Sequence, residues 1–173
     1  MIRKTKKFFL VVLVLTMLLV WITFNVSAAD NQVMEFTSNG TGKPGDVVPM
    51  TITMSDFTGL SMVMFSIKYE TNTFSVDIDH PPNPITIPNG SAFSNHIQPE
   101  VFDPEGEINF SFDISAVEGT PTEIQKTVVT IEFIIKDTAT VGSHEIKIEG
   151  VTGLTADNDS VILGTPVNKN IIV

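Results

Sequence analysis

The chain has no cysteine, and only one tryptophan and one tyrosine in 173 residues. Without cysteine there are no disulfides, so the fold must be held by burial of apolar surface alone. Thiol nucleophiles and thiolate metal sites are excluded too. Basic residues are scarce: 10 Lys and Arg stand against 20 Asp and Glu, a net charge of −10. Arg3, Lys4, Lys6 and Lys7 account for four of the ten, which leaves six lysines and no arginine in the rest of the chain. That balance offers no footprint for nucleic-acid phosphates or for anionic lipid. It suits solubility outside a cell.

The four early charges precede an apolar run from Phe8 to about Phe24. Val26-Ser27-Ala28-Ala29 then places small residues where a signal peptidase cuts. Residues 1–29 read as a secretory signal peptide and 30–173 as the exported domain. The run falls short of the roughly 20 residues that a spanning helix prefers, so a membrane anchor is expected only if the segment stays uncleaved. The remaining length suits one domain with a sizeable core.

Beyond the leader there is almost no helical period. Short alternating runs are separated by Gly, Pro, Asn and Asp, the signature of an all-β chain. GTGKPGD (40–46) is a turn cluster. VVPMTITM (47–54) puts Val48, Met50, Ile52 and Met54 on one face, and its Pro49 predicts an edge position or a bulge. SMVMFSIKYE (61–70) places Val63, Phe65, Ile67 and Tyr69 inward, with Met62, Met64, Ser66 and Lys68 outward. FSVDID (74–79) alternates Phe74, Val76 and Ile78 against Ser75, Asp77 and Asp79. The Pro- and Asn-rich 80–100 segment is pinned by Ile85, Ile87, Phe93 and Ile97, with one or two short strands. EINFSFDIS (107–115) alternates most cleanly, with Ile108, Phe110, Phe112 and Ile114 inward. Strands follow at 126–137, 144–150 and 168–173. Eight to ten short strands with polar outer faces predict two sheets around one core, a β-sandwich.

Catalytic chemistry is not announced. His80, His96 and His144 are the only histidines, and no Gly-x-Ser-x-Gly or His-Glu-x-x-His surrounds them. They read as surface or structural residues, no enzyme is expected, and no cofactor is implied. In TADNDS (155–160), Asp157, Asn158 and Asp159 offer oxygen ligands of the kind calcium takes. The EF-hand pattern is missing, however, and Asx-rich loops form turns in their own right, which is the preferred reading. The lone tryptophan, Trp21, lies in the leader, and Tyr69 points inward, so a planar aromatic platform for polysaccharide is not expected.

Taken in order, these segments resemble a cohesin domain. Gly42-Lys43-Pro44-Gly45-Asp46 before a Val-rich strand is similar to the cohesin opening. MVMFSIKYETNTFSVDID resembles the segment in which a Tyr-Asp pair, here Tyr69-Glu70, follows an apolar strand. GEINFSFDIS, VVTIEFIIKDTATVGSHEIKI and GLTADNDSVILGTPVNKNIIV resemble the central, following and closing strands. The likeness spans about 36–173 and rests on order and spacing.

The resemblance implies a nine-stranded jelly-roll β-sandwich with a non-catalytic job: binding, through one sheet face, a dockerin module carried by another extracellular protein. Carried over by position, that face comprises Met62, Met64, Ser66, Lys68, Asn109, Ser111, Asp113 and Ile162. Well-known cohesins are polar at the first two positions and carry a glutamate near the last. Met62, Met64 and Ile162 therefore imply a dockerin class other than the standard type I, or another ligand. The alternatives are a carbohydrate-binding or adhesin-like surface module, and a purely structural domain in which the 80–100 segment covers Met62 and Met64.

Overall fold

The computed structural model describes residues 32–173 apart from 39, 79–82, 94 and 115–120. The leader read over 1–29 lies outside the described residues, as do Asp79, His80 and much of the 116–124 connection. The strands are β1 (Met34–Phe36), β2 (Gly40–Thr41), β3 (Val47–Met54), β4 (Met62–Lys68), β5 (Phe74–Ser75), β6 (Ile85–Thr86), β7 (Asn95–Phe102), β8 (Glu107–Asp113), β9 (Thr127–Ile135), β10 (Ser143–Leu154), β11 (Ser160–Val161) and β12 (Lys169–Ile172). One sheet has the order β1-β3-β9-β5, with β6 also on β9. The other has the order β2-β12-β10-β4-β8-β7, with β11 also on β10. The expected all-β sandwich is present. Twelve strand segments occur among the described residues where nine were expected, and β2, β5, β6 and β11 are only two residues long.

Local chemistry accounts for the turns. Lys43-Pro44-Gly45-Asp46 closes through the Asp46 N–H to the Lys43 carbonyl at 2.9 Å. Pro44 pre-sets the first central position and Gly45 takes the left-handed one, at φ 88°. The Asp46 carboxylate accepts the Lys43 N–H at 2.8 Å and locks the turn. At 56–60, Asp56 accepts both the N–H and the hydroxyl of Thr58. Those bonds hold its carboxyl below the usual range.

Alternation decides what is buried. Val48, Met50, Ile52 and Met54 of β3, Val63, Phe65 and Ile67 of β4, Ile108, Phe110 and Phe112 of β8, and Val129, Ile131, Phe133 and Ile135 of β9 all point into one core. Phe65 lies opposite Phe110 and stacks on it at 5.0 Å between centroids, and on Phe112 at 5.9 Å. Phe93, from the 80–100 segment, meets Phe112 edge-on at 5.8 Å. Such aromatic pairs add about 1 kcal/mol each beyond their burial.

Pro49 stands where its missing N–H costs nothing. It pairs with Glu132, whose N–H bonds to Pro84 on the far side of β9. Pro49 is thus in a non-hydrogen-bonded pair and its nitrogen faces away from β9. On that side β1 covers only Ile52–Met54, so Pro49 lies at an open stretch of edge. Two expectations need correction. The 74–79 strand stops at Ser75, leaving Ile78 45% exposed rather than inward. The strand read at 144–150 continues to Leu154.

Gly106 ends the turn into β8, and its carbonyl accepts the Tyr69 N–H at 2.9 Å. Its φ is 64°, and a Cβ there would stand inside contact distance of the Tyr69 carbonyl oxygen and close to Thr71. Left-handed strain and the backbone clash add together. Gly106→Ala is expected to cost about 3 kcal/mol in chemical or thermal unfolding. Gly59→Ala, at φ 81° with open space around the site, should cost only about 1 kcal/mol.

Candidate functional site

The outer face of the larger sheet collects the expected residues. Cross-strand register sets Met62 opposite Asp113, Met64 opposite Ser111, Ser66 opposite Asn109 and Lys68 opposite Glu107. On the other side of β4, Leu154 is level with Met62, Thr152 with Met64, Glu149 with Ser66 and Lys147 with Lys68. On the far side of β8, Glu100 is level with Asn109 and Phe102 with Glu107. Neighbouring strands are about 4.8 Å apart, so four rows of side chains run across β10, β4, β8 and β7.

The face has two ends. Met62, Met64 and Leu154 make one end apolar, and both methionines are partly exposed rather than covered. The described parts of the 80–100 segment run instead to β6 in the other sheet and to β7 at the edge of this one. Lys68, Lys147, Glu107 and Glu145 make the other end charged. Lys68 pairs with Glu107, and this holds the Glu107 carboxyl below its usual range. Lys147 meets Glu145 at 3.4 Å. Between the two ends, the Ser66 hydroxyl donates to Asn109 Oδ1 at 2.5 Å.

Ile162 also comes to this surface. β11 pairs Ser160 with Leu154 and Val161 with Gly153. One more residue in that register sets Ile162 beside Thr152, one strand from Met64, where it is 75% exposed. All eight residues carried over by resemblance therefore lie on or beside one sheet face.

Leu154 was missed. Strict alternation through Ile146 and Ile148 would turn residues 152 and 154 inward. A bulge prevents this: Ser66 pairs with Glu149 but Met64 pairs with Thr152, so Gly150 and Val151 together oppose Phe65. Gly150 takes φ 63°, and Thr152 and Leu154 emerge on the outer face. A glycine interrupting an alternating run was the available signal. β7 carries a second bulge. Ile97 pairs with Ser111 and Glu100 with Asn109, so Gln98 and Pro99 oppose Phe110. Phe65 and Phe110 are themselves paired. The two flanking strands therefore bulge on the same cross-strand line. A depression of about 350 Å³ lies there, lined on its polar and thioether side by Met64, Ser66, Glu100, Asn109 and Ser111, with Gly150 at its rim.

Thr155–Asp159 is a turn: the Asn158 N–H reaches the Thr155 carbonyl at 3.0 Å, and the Thr155 N–H reaches the Asp159 carbonyl at 3.0 Å. Asn158 takes the left-handed region at φ 63°. Among the described residues no cluster of three or more His, Cys, Asp or Glu is placed to hold a metal ion. His144 is buried, with Nδ1 2.8 Å from Glu70 Oε2 and Nε2 2.8 Å from the Thr140 carbonyl. The Thr73 hydroxyl also lies 3.3 Å from Nδ1, and the imidazolium form can donate to Glu70 and Thr140 at once. The Glu70 carboxylate, then the Thr140 carbonyl, raise its pKa above the ordinary value.

Comparison with known proteins agrees with this architecture. The model of the Cohesin domain family matches residues 33–173, and the chain belongs to the cohesin family. Among solved structures, the CaCohA2 chain crystallised in complex with a CaDoc0917 variant is 18% identical, with a TM-score of 0.63 over 82% of this chain and 99% of that one. A type II cohesin domain from the cellulosome of Acetivibrio cellulolyticus is 18% identical, with a TM-score of 0.59 over 82% and 95%. A type I cohesin–dockerin complex from Clostridium thermocellum contains a chain that is 16% identical, with a TM-score of 0.56 over 81% and 98%. No curated protein sequence matches the chain.

The His144 geometry has a definite sign. Its folded pKa is raised, so its stabilisation is complete below the unfolded value of about 6.5 and is lost as pH rises through the folded value. The melting temperature should fall between about pH 6 and about pH 8, and Glu70→Gln should flatten that dependence. Thermal denaturation of both proteins across the range is the measurement.

Proposed function

We propose that this chain is a secreted, non-catalytic cohesin module that docks a dockerin-bearing protein through the outer face of β10, β4, β8 and β7. Its setting would be polysaccharide degradation or cell-surface assembly. One observation carries the reading. Met62, Met64, Ser66, Lys68, Asn109, Ser111 and Asp113, with Ile162 alongside, share one broad face whose apolar end is partly open to solvent. Exposed methionines adapt to a partner's surface, and the centres of interfaces are depleted of charge. A structural neighbour was solved as a cohesin–dockerin complex, which supports a partner of that kind. On the same reading β1 and β2 are one strand crossing between the sheets, and the two-residue β6 and β11 are additions. Nine strands in a jelly-roll arrangement then remain.

Carbohydrate binding receives no comparable support. Phe102 is the one phenylalanine exposed among the described residues, and a single ring is not a stacking platform.

Two experiments test the proposal. Met62→Asp combined with Met64→Asp should weaken binding to a captured dockerin about 100-fold or more, as loss of two central contacts does, with the far-UV circular dichroism unchanged. Binding equal to wild type would remove this face from the interaction. Export from a bacterial host should yield a protein whose intact mass begins after Ala28 or Ala29, the signature of leader cleavage.

A further inference from the structure

We infer that the depression between the two bulges is a seat for a single cationic side chain, a lysine or arginine presented by the docking partner. This rests on the cohesin–dockerin reading of the face and names what the centre of that face recognises.

Gly150-Val151 in β10 and Gln98-Pro99 in β7 lie on either side of the paired Phe65 and Phe110. Bulges bend and twist the strand that carries them. Here both flanking strands do so at one level, and the hollow of about 350 Å³ lies at that level. Gly150 brings no side chain to the rim, and the position its Cβ would occupy is open space. The hollow can therefore admit a long side chain from above.

Its lining selects the chemistry. Its polar side chains are the hydroxyls of Ser66 and Ser111 and the amide of Asn109, which both donate and accept, and the carboxylate of Glu100, which only accepts. Asn109 Oδ1 and Ser66 are already bonded to each other, which leaves Glu100 as the formal charge of the hollow. No hydrogen bond or ion pair within the described residues occupies Glu100. The contrast with the neighbouring row is plain, since Glu107 is neutralised by Lys68. Phe65, Phe110 and Gly150 complete the lining, and Met64 offers a polarisable thioether wall for an aliphatic stem. A stem against a thioether with a head against a carboxylate and hydroxyl oxygens is the layout that lysine and arginine fit. A carboxylate entering the same hollow would meet Glu100 at close range and would be rejected. The chain's net charge of −10 adds a long-range field of the same preference.

The test uses a displayed library of dockerin modules randomised at their solvent-exposed helix positions, selected on the intact domain. Wild type should enrich Lys or Arg at one position, and the enriched modules should lose about tenfold in affinity when salt is raised from about 0.05 M to about 0.5 M. Glu100→Lys should lose those binders and enrich Asp or Glu at the same position, while Glu100→Gln should bind with no charge preference. Both substitutions are at an exposed position, and a melting curve checks the fold. If wild type selects modules that depend on Met62 and Met64 but show no cationic preference and are indifferent to Glu100→Lys, the cationic seat is wrong and the docking face stands. If wild type selects no module at all, the dockerin reading fails and the seat falls with it.

Discussion

Phe65 lies against Phe110 and Phe112 on the inner face of β4 and β8, and the composition of the outer face follows from that stack. In a strand the side chains alternate with a period of two, so committing Phe65 inward commits Met64 and Ser66 outward. A slip of one residue would move every side chain to the wrong side. With no cysteine in the chain, nothing covalent protects the register. The three rings, together with Ile67, Ile108 and Val63, are what make slippage costly. Maintenance of the fold and presentation of the candidate face are therefore the same physical fact seen from two sides of one sheet.

The departures from regularity sit where the face has its shape. Bulges at Gly150-Val151 and Gln98-Pro99 break the alternation of the two strands that border β4 and β8. They turn Leu154 outward and leave the central hollow. Proline in one bulge and glycine in the other are the residues least able to continue a regular ladder. Away from the face, His144 joins the start of β10 to Glu70 and Thr140. It ties down the charged end of the sheet while contributing no contact surface.

Most of the core was legible because alternation is a local signal. Val63, Phe65, Ile67, Ile108, Phe110, Phe112, Val129, Ile131, Phe133 and Ile135 are all buried as their spacing predicts. The positions of Met62, Met64, Ser66, Asn109, Ser111 and Asp113 follow as the complement. Where the pattern was short or interrupted, reading failed. Ile78 looked like a third inward residue, but its strand ends earlier. Leu154 lay beyond the strand read at 144–150, because a single glycine can mark either a turn or a bulge and the difference depends on the partner strand.

The sequence by itself determined an all-β sandwich, the inward and outward members of each regular strand, and the candidate face with its unusual methionines. Each of these depends on residue spacing within one strand and on the cost of leaving apolar surface in water. Tertiary structure alone decided which strands lie side by side. It brought Ile162 beside Thr152 on the same face as Met64, set two bulges from distant parts of the chain on one line, left Glu100 without a cation among the described residues and placed His144 between Glu70 and Thr140. Those juxtapositions depend on pairing between segments far apart in the chain, and no periodicity within a segment encodes its neighbour.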